Sequence, residues 1–119
     1  MKVKGVDFVF YNVSDIKKAV KFYKDILGLK PLGKIGETWA EFDTGNITLA
    51  IGKFGPIVVG GVQVALALDD VKKALVYLKK KKVKIVQEYY ESGGCYMAIV
   101  ADPDGNGLII HERKDGTVG

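Results

Sequence analysis

His111 is the single histidine of the 119-residue chain and a candidate for proton transfer or metal ligation, against the more common role of a lone histidine as a hydrogen-bonded structural residue. Glu41, in the segment TWAEFD, is the carboxylate best suited to partner it or to act as a general base in its place. A metal held by His111, Glu41 and Asp7 would draw on residues from opposite faces of one strand, which counts against a centre of that composition. Cys95 stands beside Ser-Gly-Gly without a basic neighbour in sequence, so its thiol is expected to be inert. Phe8, Phe10 and Trp39 add large aromatic surface to the same short list.

An internal repeat shows what must position these groups. SDIKKAVKFY, from Ser14 to Tyr23, returns as DDVKKALVYL from Asp69 to Leu78. Ser14 and Asp69 each supply a capping oxygen ahead of a helix. Ile16, Ala19, Val20, Tyr23, Ile26 and Leu27 recur at steps of three and four residues, as do Val71, Ala74, Leu75 and Leu78, so each helix has one face to bury. A β-rich run precedes each helix, VDFVFYNV and GVQVALAL. Three further strands follow each, around 31–35, 38–43 and 46–51 in the first half and 84–89, 96–101 and 107–112 in the second. TGNITLAI parallels DGNGLIIH, so the repeat extends to the last hairpin of each half. The expected fold is α+β: two tandem β-α-β-β-β modules in one domain, about 4–53 and 61–113, joined by GPIVVGG, with curved mixed sheets forming a concave cup.

The segments NVSDIKKAVKFYKDILGLKPL and VADPDGNGLIIHE, together with the repeat, resemble the vicinal oxygen chelate superfamily of glyoxalases, extradiol dioxygenases and bleomycin-resistance proteins. That resemblance implies a divalent metal held by His and Glu in the first, fourth, fifth and eighth strands. Carried onto this chain, those places fall on Phe8, Leu49, Gln63 and Ile109. Three of these are hydrocarbon, and a glutamine carbonyl is a weak ligand for hard ions only, so the superfamily's metal centre is not expected here. By strand alternation Phe8 and Phe10 share a face, as do Leu49 and Ile51, Gln63, Ala65 and Ala67, and Ile109 and His111. The carry-over makes that face the cup. The register of the Thr38 to Asp43 strand stays open between Trp39 and Glu41 inward and Ala40 and Phe42 inward, with Glu41 favoured because a carboxylate under a helix is costly.

Composition narrows the function classes. The net charge of +4 is concentrated at Lys79 to Lys82, where a helix C-terminus favours cations, and no aromatic-studded basic face suggests a nucleic-acid partner. No stretch is apolar for long enough to cross a bilayer, and the lone cysteine suits a reducing cytoplasm. Abundant Lys, Val and Ile resemble proteins from hot environments. The expectation is a metal-independent, cofactor-free binding protein of bleomycin-resistance type, a homodimer whose partner is a small molecule. Phe8, Phe10, Trp39, Glu41, Leu49, Gln63, Ile109 and His111 would line its site. The alternatives are a small lyase, isomerase or dioxygenase-like enzyme using Glu41, His111 or a displaced metal, and a module whose cup is filled by its own side chains.

Overall fold

A computed structural model describes residue 2, residues 8–54, residue 57 and residues 64–116. The chain divides into two compact units, Met1–Val58 and Val59–Gly119. The first runs β1 (Phe8–Asn12), α1 (Ile16–Val20) with a π-helical continuation (Lys21–Ile26), β2 (Lys30–Leu32), β3 (Trp39–Asp43) and β4 (Thr48–Gly52). The second runs β5 (Val64–Ala67), α2 (Val71–Lys80), β6 (Lys84–Glu91), β7 (Cys95–Ala101) and β8 (Gly107–Arg113). Each is a β-α-β-β-β module with a mixed four-stranded sheet, ordered β1-β4-β3-β2 and β5-β8-β7-β6. The crossover helix of each returns the chain to a strand order in which the first strand lies parallel to the last.

The helices start one residue later than the repeat suggested. Asp15, not Ser14, accepts the Lys18 amide at 3.1 Å, and Asp70, not Asp69, accepts that of Lys73 at 3.0 Å. Two capping residues stand side by side in each copy. The choice falls on the one directly before the first buried residue, Ile16 or Val71. The Lys18 amide holds the Asp15 carboxyl below its usual pKa. A depressed folded-state value stabilises above the ordinary carboxylate range and is lost as pH falls through it. The hydrogen-exchange protection of the Lys18 amide is therefore expected to drop selectively in acid, and Asp15→Asn should flatten that dependence.

The first helix also departs from simple 3.6-residue winding. From Lys21 it loosens to i→i+5 bonding, closed by the Leu27 amide on the Phe22 carbonyl at 2.9 Å. The wider turn brings Phe22 and Tyr23 inward together, 3% and 0% exposed, whereas Ile26 and Leu27, expected on the buried face, are only half-buried. Tyr23 packs on Phe42 of β3 with ring centroids 6.0 Å apart. Leu49 and Ile51 complete that core. In the second unit Val71, Leu75 and Leu78 of α2 supply the corresponding buried stripe, with Ala98, Val100, Leu108 and Ile110 buried on the sheet. Each helix therefore covers one sheet face and leaves the other for something else. Among the described residues no helix is long and apolar enough to cross a membrane.

Candidate functional site

The uncovered face of the first sheet is fixed by register. Phe8, Phe10 and Asn12 of β1 stand beside Thr48, Ala50 and Gly52 of β4. Trp39 and Glu41 of β3 stand beside Gly52 and Ala50. Of the two facings open for β3, the structure therefore has Trp39 and Glu41 on the side of Phe8 and Phe10, with Ala40 and Phe42 fully buried on the other. Leu32 of β2 lies next to Glu41 at the edge of the same face.

Four rings cover this face. Phe10 stacks on Trp39 at 5.6 Å and 11°, Phe8 meets the indole edge-on at 6.4 Å, and Phe54, just beyond β4, leans on both Phe10 and Trp39 at 6.3 and 6.0 Å. Offset and edge-to-face pairs of this kind add stability beyond the area they bury. Two residues make the arrangement. The Asn12 side chain clamps the Phe54 backbone in both directions, its Nδ2 donating to the carbonyl at 2.9 Å and its Oδ1 accepting the amide at 2.8 Å. Gly52 gives the rings their floor: a Cβ there would lie 2.6 Å from Phe54 and 2.9 Å from both Phe10 and Trp39. Phe8, Phe10 and Phe54 nevertheless remain 47%, 40% and 57% exposed. The sequence reading missed Asn12, Gly52 and Phe54. The first two continue the alternation of Phe8 and Phe10 and of Ala50, but Phe54 lies past the strand, where alternation says nothing.

Leu49 requires a correction. It pairs with Val9 and Phe42 and is fully buried on the helix side, together with Ile51. Ala50 occupies the uncovered face instead. The cause is a one-residue difference between the modules: strand pairing resumes two residues after Asn46, at Thr48, but one residue after Asn106, at Gly107. Aligning the two Gly-Asn turns thus puts the following strands out of step, and a slip of one residue exchanges faces.

In the second unit Leu108 and Ile110 are buried, and Ile109 and His111 lie on the opposite face beside Ala65 and Ala67. On β7 their neighbours are Ile99 and Met97. His111 is half-buried among apolar residues, and among the described residues its imidazole has no hydrogen-bond partner. Its sequence neighbour Glu112 accepts the Val71 amide at 3.0 Å and so closes the start of α2 rather than orienting the imidazole. Gln63 and Asp7 lie outside the described residues. Tyr89 and Tyr96 stack at 5.7 Å with Lys72 and Lys114 over their rings, and desolvation, reinforced by Tyr96, raises the Tyr89 pKa. Cys95 is half-buried with its Sγ 3.0 Å from Ser92 Oγ.

Of the four places the resemblance assigned to metal ligands, Phe8 and Ile109 are hydrocarbon, and so is the fourth-strand place whether it falls on Leu49 or Ala50. No group of three or more His, Cys, Asp or Glu among the described residues could hold a metal ion. These residues do not fit the superfamily's metal, which needs nitrogen or oxygen donors.

Two mixed-sheet β-α-β-β-β modules, each with one sheet face left free by its helix, define a class of protein that comparison identifies. Residues 5–110 match the Glyoxalase/Bleomycin resistance protein/Dioxygenase superfamily, and the chain belongs to it. It is 29% identical over 120 residues to the metallothiol transferase FosB of Staphylococcus epidermidis, covering 92% of this chain and 84% of that protein. It is also 29% identical over 105 residues to human mitochondrial methylmalonyl-CoA epimerase, covering 74% and 60% of the two chains. The lactoylglutathione lyase structure from Agrobacterium tumefaciens superposes with a TM-score of 0.76 at 19% identity, covering 93% of this chain and 95% of that one. That likeness concerns the fold.

Proposed function

We propose that this protein binds a flat, largely apolar small molecule on the aromatic face of its first sheet, without a metal, in the manner of the bleomycin-resistance branch of its superfamily. The observation that carries this reading is Phe8. It stands where the resemblance places the first-strand metal ligand, and its ring meets Trp39 in a continuous, part-exposed aromatic surface. Ring faces left to solvent beside one another are what a planar ligand covers.

Magnitudes bound the affinity. At about 200 Å² per aromatic side chain, the exposed parts of Phe8, Phe10 and Phe54 offer about 300 Å², on the order of 7 kcal/mol when covered. Association costs at least about 4 kcal/mol, so ring contact alone gives about millimolar binding. A tighter ligand needs a directional group as well.

Trp39 is the only tryptophan, so its emission reports on this face directly. A neutral bicyclic probe such as 4-methylquinoline is expected to quench it saturably. Protein incubated with Mn, Fe, Ni, Zn or Mg and then dialysed is expected to retain under about a tenth of an equivalent, with no change in probe binding. Near-stoichiometric metal that probe binding requires would overturn the reading.

The lyase and epimerase names among the relatives support a second reading, an acid/base lyase, isomerase or epimerase, for which Glu41 or His111 would serve as general base. Metal-free turnover that His111→Ala abolishes in a folded protein would bring it ahead.

A further inference from the structure

We infer that the aromatic face selects ligands carrying a positive charge beside the ring, and that Glu41 is the residue that selects them. The inference rests on the binding reading above and names the chemical class of the ligand. Its ground is one carboxylate in an unusual position. Glu41 is half-buried on the aromatic face, next to Ala50 in register and two residues from Trp39 on β3. Among the described residues its carboxylate makes no hydrogen bond and no ion pair. Other half-buried carboxylates are engaged: Asp15 with the Lys18 amide at 3.1 Å, Asp70 with the Lys73 amide at 3.0 Å, and Glu112 with the Val71 amide at 3.0 Å.

Two independent features of the face favour a cation. The first is the unpaired carboxylate, half-removed from water, where an opposite charge regains part of the lost solvation. The second is the rings themselves, whose faces carry partial negative charge and attract a cation within about 6 Å of the ring centre, tryptophan most strongly. Side chains two residues apart on a strand lie about 7 Å from each other, so a charged substituent on a ring stacked near Trp39 reaches both. Among the described residues the cation in register on this face is Lys30, which stands beside Asp43, two residues along β3 from Glu41 on the side away from Trp39. An anionic ligand stacked on Trp39 would meet the Glu41 carboxylate before Lys30, which lies on the other side of Glu41 from Trp39.

The test is calorimetric titration of the full chain in low-salt, mildly alkaline buffer with three probes of one ring system: trimethyl(quinolin-4-ylmethyl)ammonium, the uncharged 4-methylquinoline, and quinoline-4-carboxylate. The cation is expected to bind at least about tenfold tighter than the neutral probe, with the preference shrinking as salt rises. The anion is expected to bind more weakly than either. Glu41→Gln keeps the shape and removes the charge. It is expected to bring the cation-to-neutral ratio to about two or below, chiefly through loss of affinity for the cation, in a protein that still unfolds cooperatively. Equal binding of cation and neutral probe by the unmodified protein, or a preference that survives Glu41→Gln, overturns the inference while the binding reading stands. Failure of both the cation and the neutral probe to bind overturns the binding reading itself, and the selection with it.

Discussion

Gly52→Ala is expected to weaken binding of a neutral bicyclic probe by more than about tenfold while lowering the melting temperature by less than about 10 °C. The alanine Cβ would stand 2.6 Å from the Phe54 ring and 2.9 Å from those of Phe10 and Trp39, and carbon atoms do not sit that close. The obstructing atoms are ring edges, so the side chains can yield. The backbone, which pairs with Trp39 and accepts the Val13 amide at 2.8 Å, can stay. Overpacking costs about 1–3 kcal/mol, and exchanging a strand glycine for alanine returns about 0.5–1 kcal/mol. A net loss of about 0–2.5 kcal/mol follows. The mutual placement of three rings changes much, because all three converge on one missing side chain. Trp39 emission should shift to the red as the stack with Phe10 opens. Unchanged affinity and unchanged emission in a folded variant would mean that the ring arrangement does not make the site. Gly52→Val serves as the graded control, with a larger loss in both readouts.

Much of the architecture was legible because each module repeats its own punctuation. Helix periodicity, paired capping residues and Gly-Asn turns recur in both halves, and they fix the element order without reference to packing. What sequence could not supply was register. Leu49 and Ala50 are adjacent, both apolar and both fully buried, and only strand pairing separates the one under the helix from the one under the rings. Alternation placed Phe8 with Phe10 on one face, and a solvation argument favoured Glu41 outward from the helix. Neither could reveal the Asn12 clamp, which joins residues 42 apart in sequence. The π-helical stretch was equally hidden, since an i→i+5 turn leaves no mark in a pattern read at steps of three and four. The aromatic site is therefore half written in local pattern and half in long-range pairing. That division explains why its members at the strand ends, Asn12 and Gly52, and just past one, Phe54, escaped notice.

The turn that carries part of the family resemblance is structural, and removing its central carboxylate should be the costlier change for stability. Asp102 is 4% exposed. Its Oδ1 accepts the amides of Asp104 and Asn106, both at 2.9 Å, and its Oδ2 accepts the Asn106 side-chain amide at 2.8 Å. Backbone bonds from Asp102 to Asn106 and from Gly105 to Asp102 close the loop, with Gly105 in the left-handed region at φ 86°. Asp102→Ala strands these donors in a buried turn. Each buried donor without an acceptor costs about 1–3 kcal/mol, but Asp104 is only half-buried and water can reach it. The two Asn106 donors together give about 2–6 kcal/mol, equivalent to a fall of about 8–24 °C in melting temperature. Asp102→Asn separates the contributions. Its carbonyl keeps the two backbone amides, but its NH2 faces the Asn106 NH2, donor against donor, so an intermediate loss is expected. Because this turn sets where β8 begins to pair with β7, Asp102→Ala should also lower hydrogen-exchange protection at Leu108 and Ile110 before the first module loosens. A thermal midpoint within a degree or two of the unmodified protein would show that the turn is held by its backbone alone.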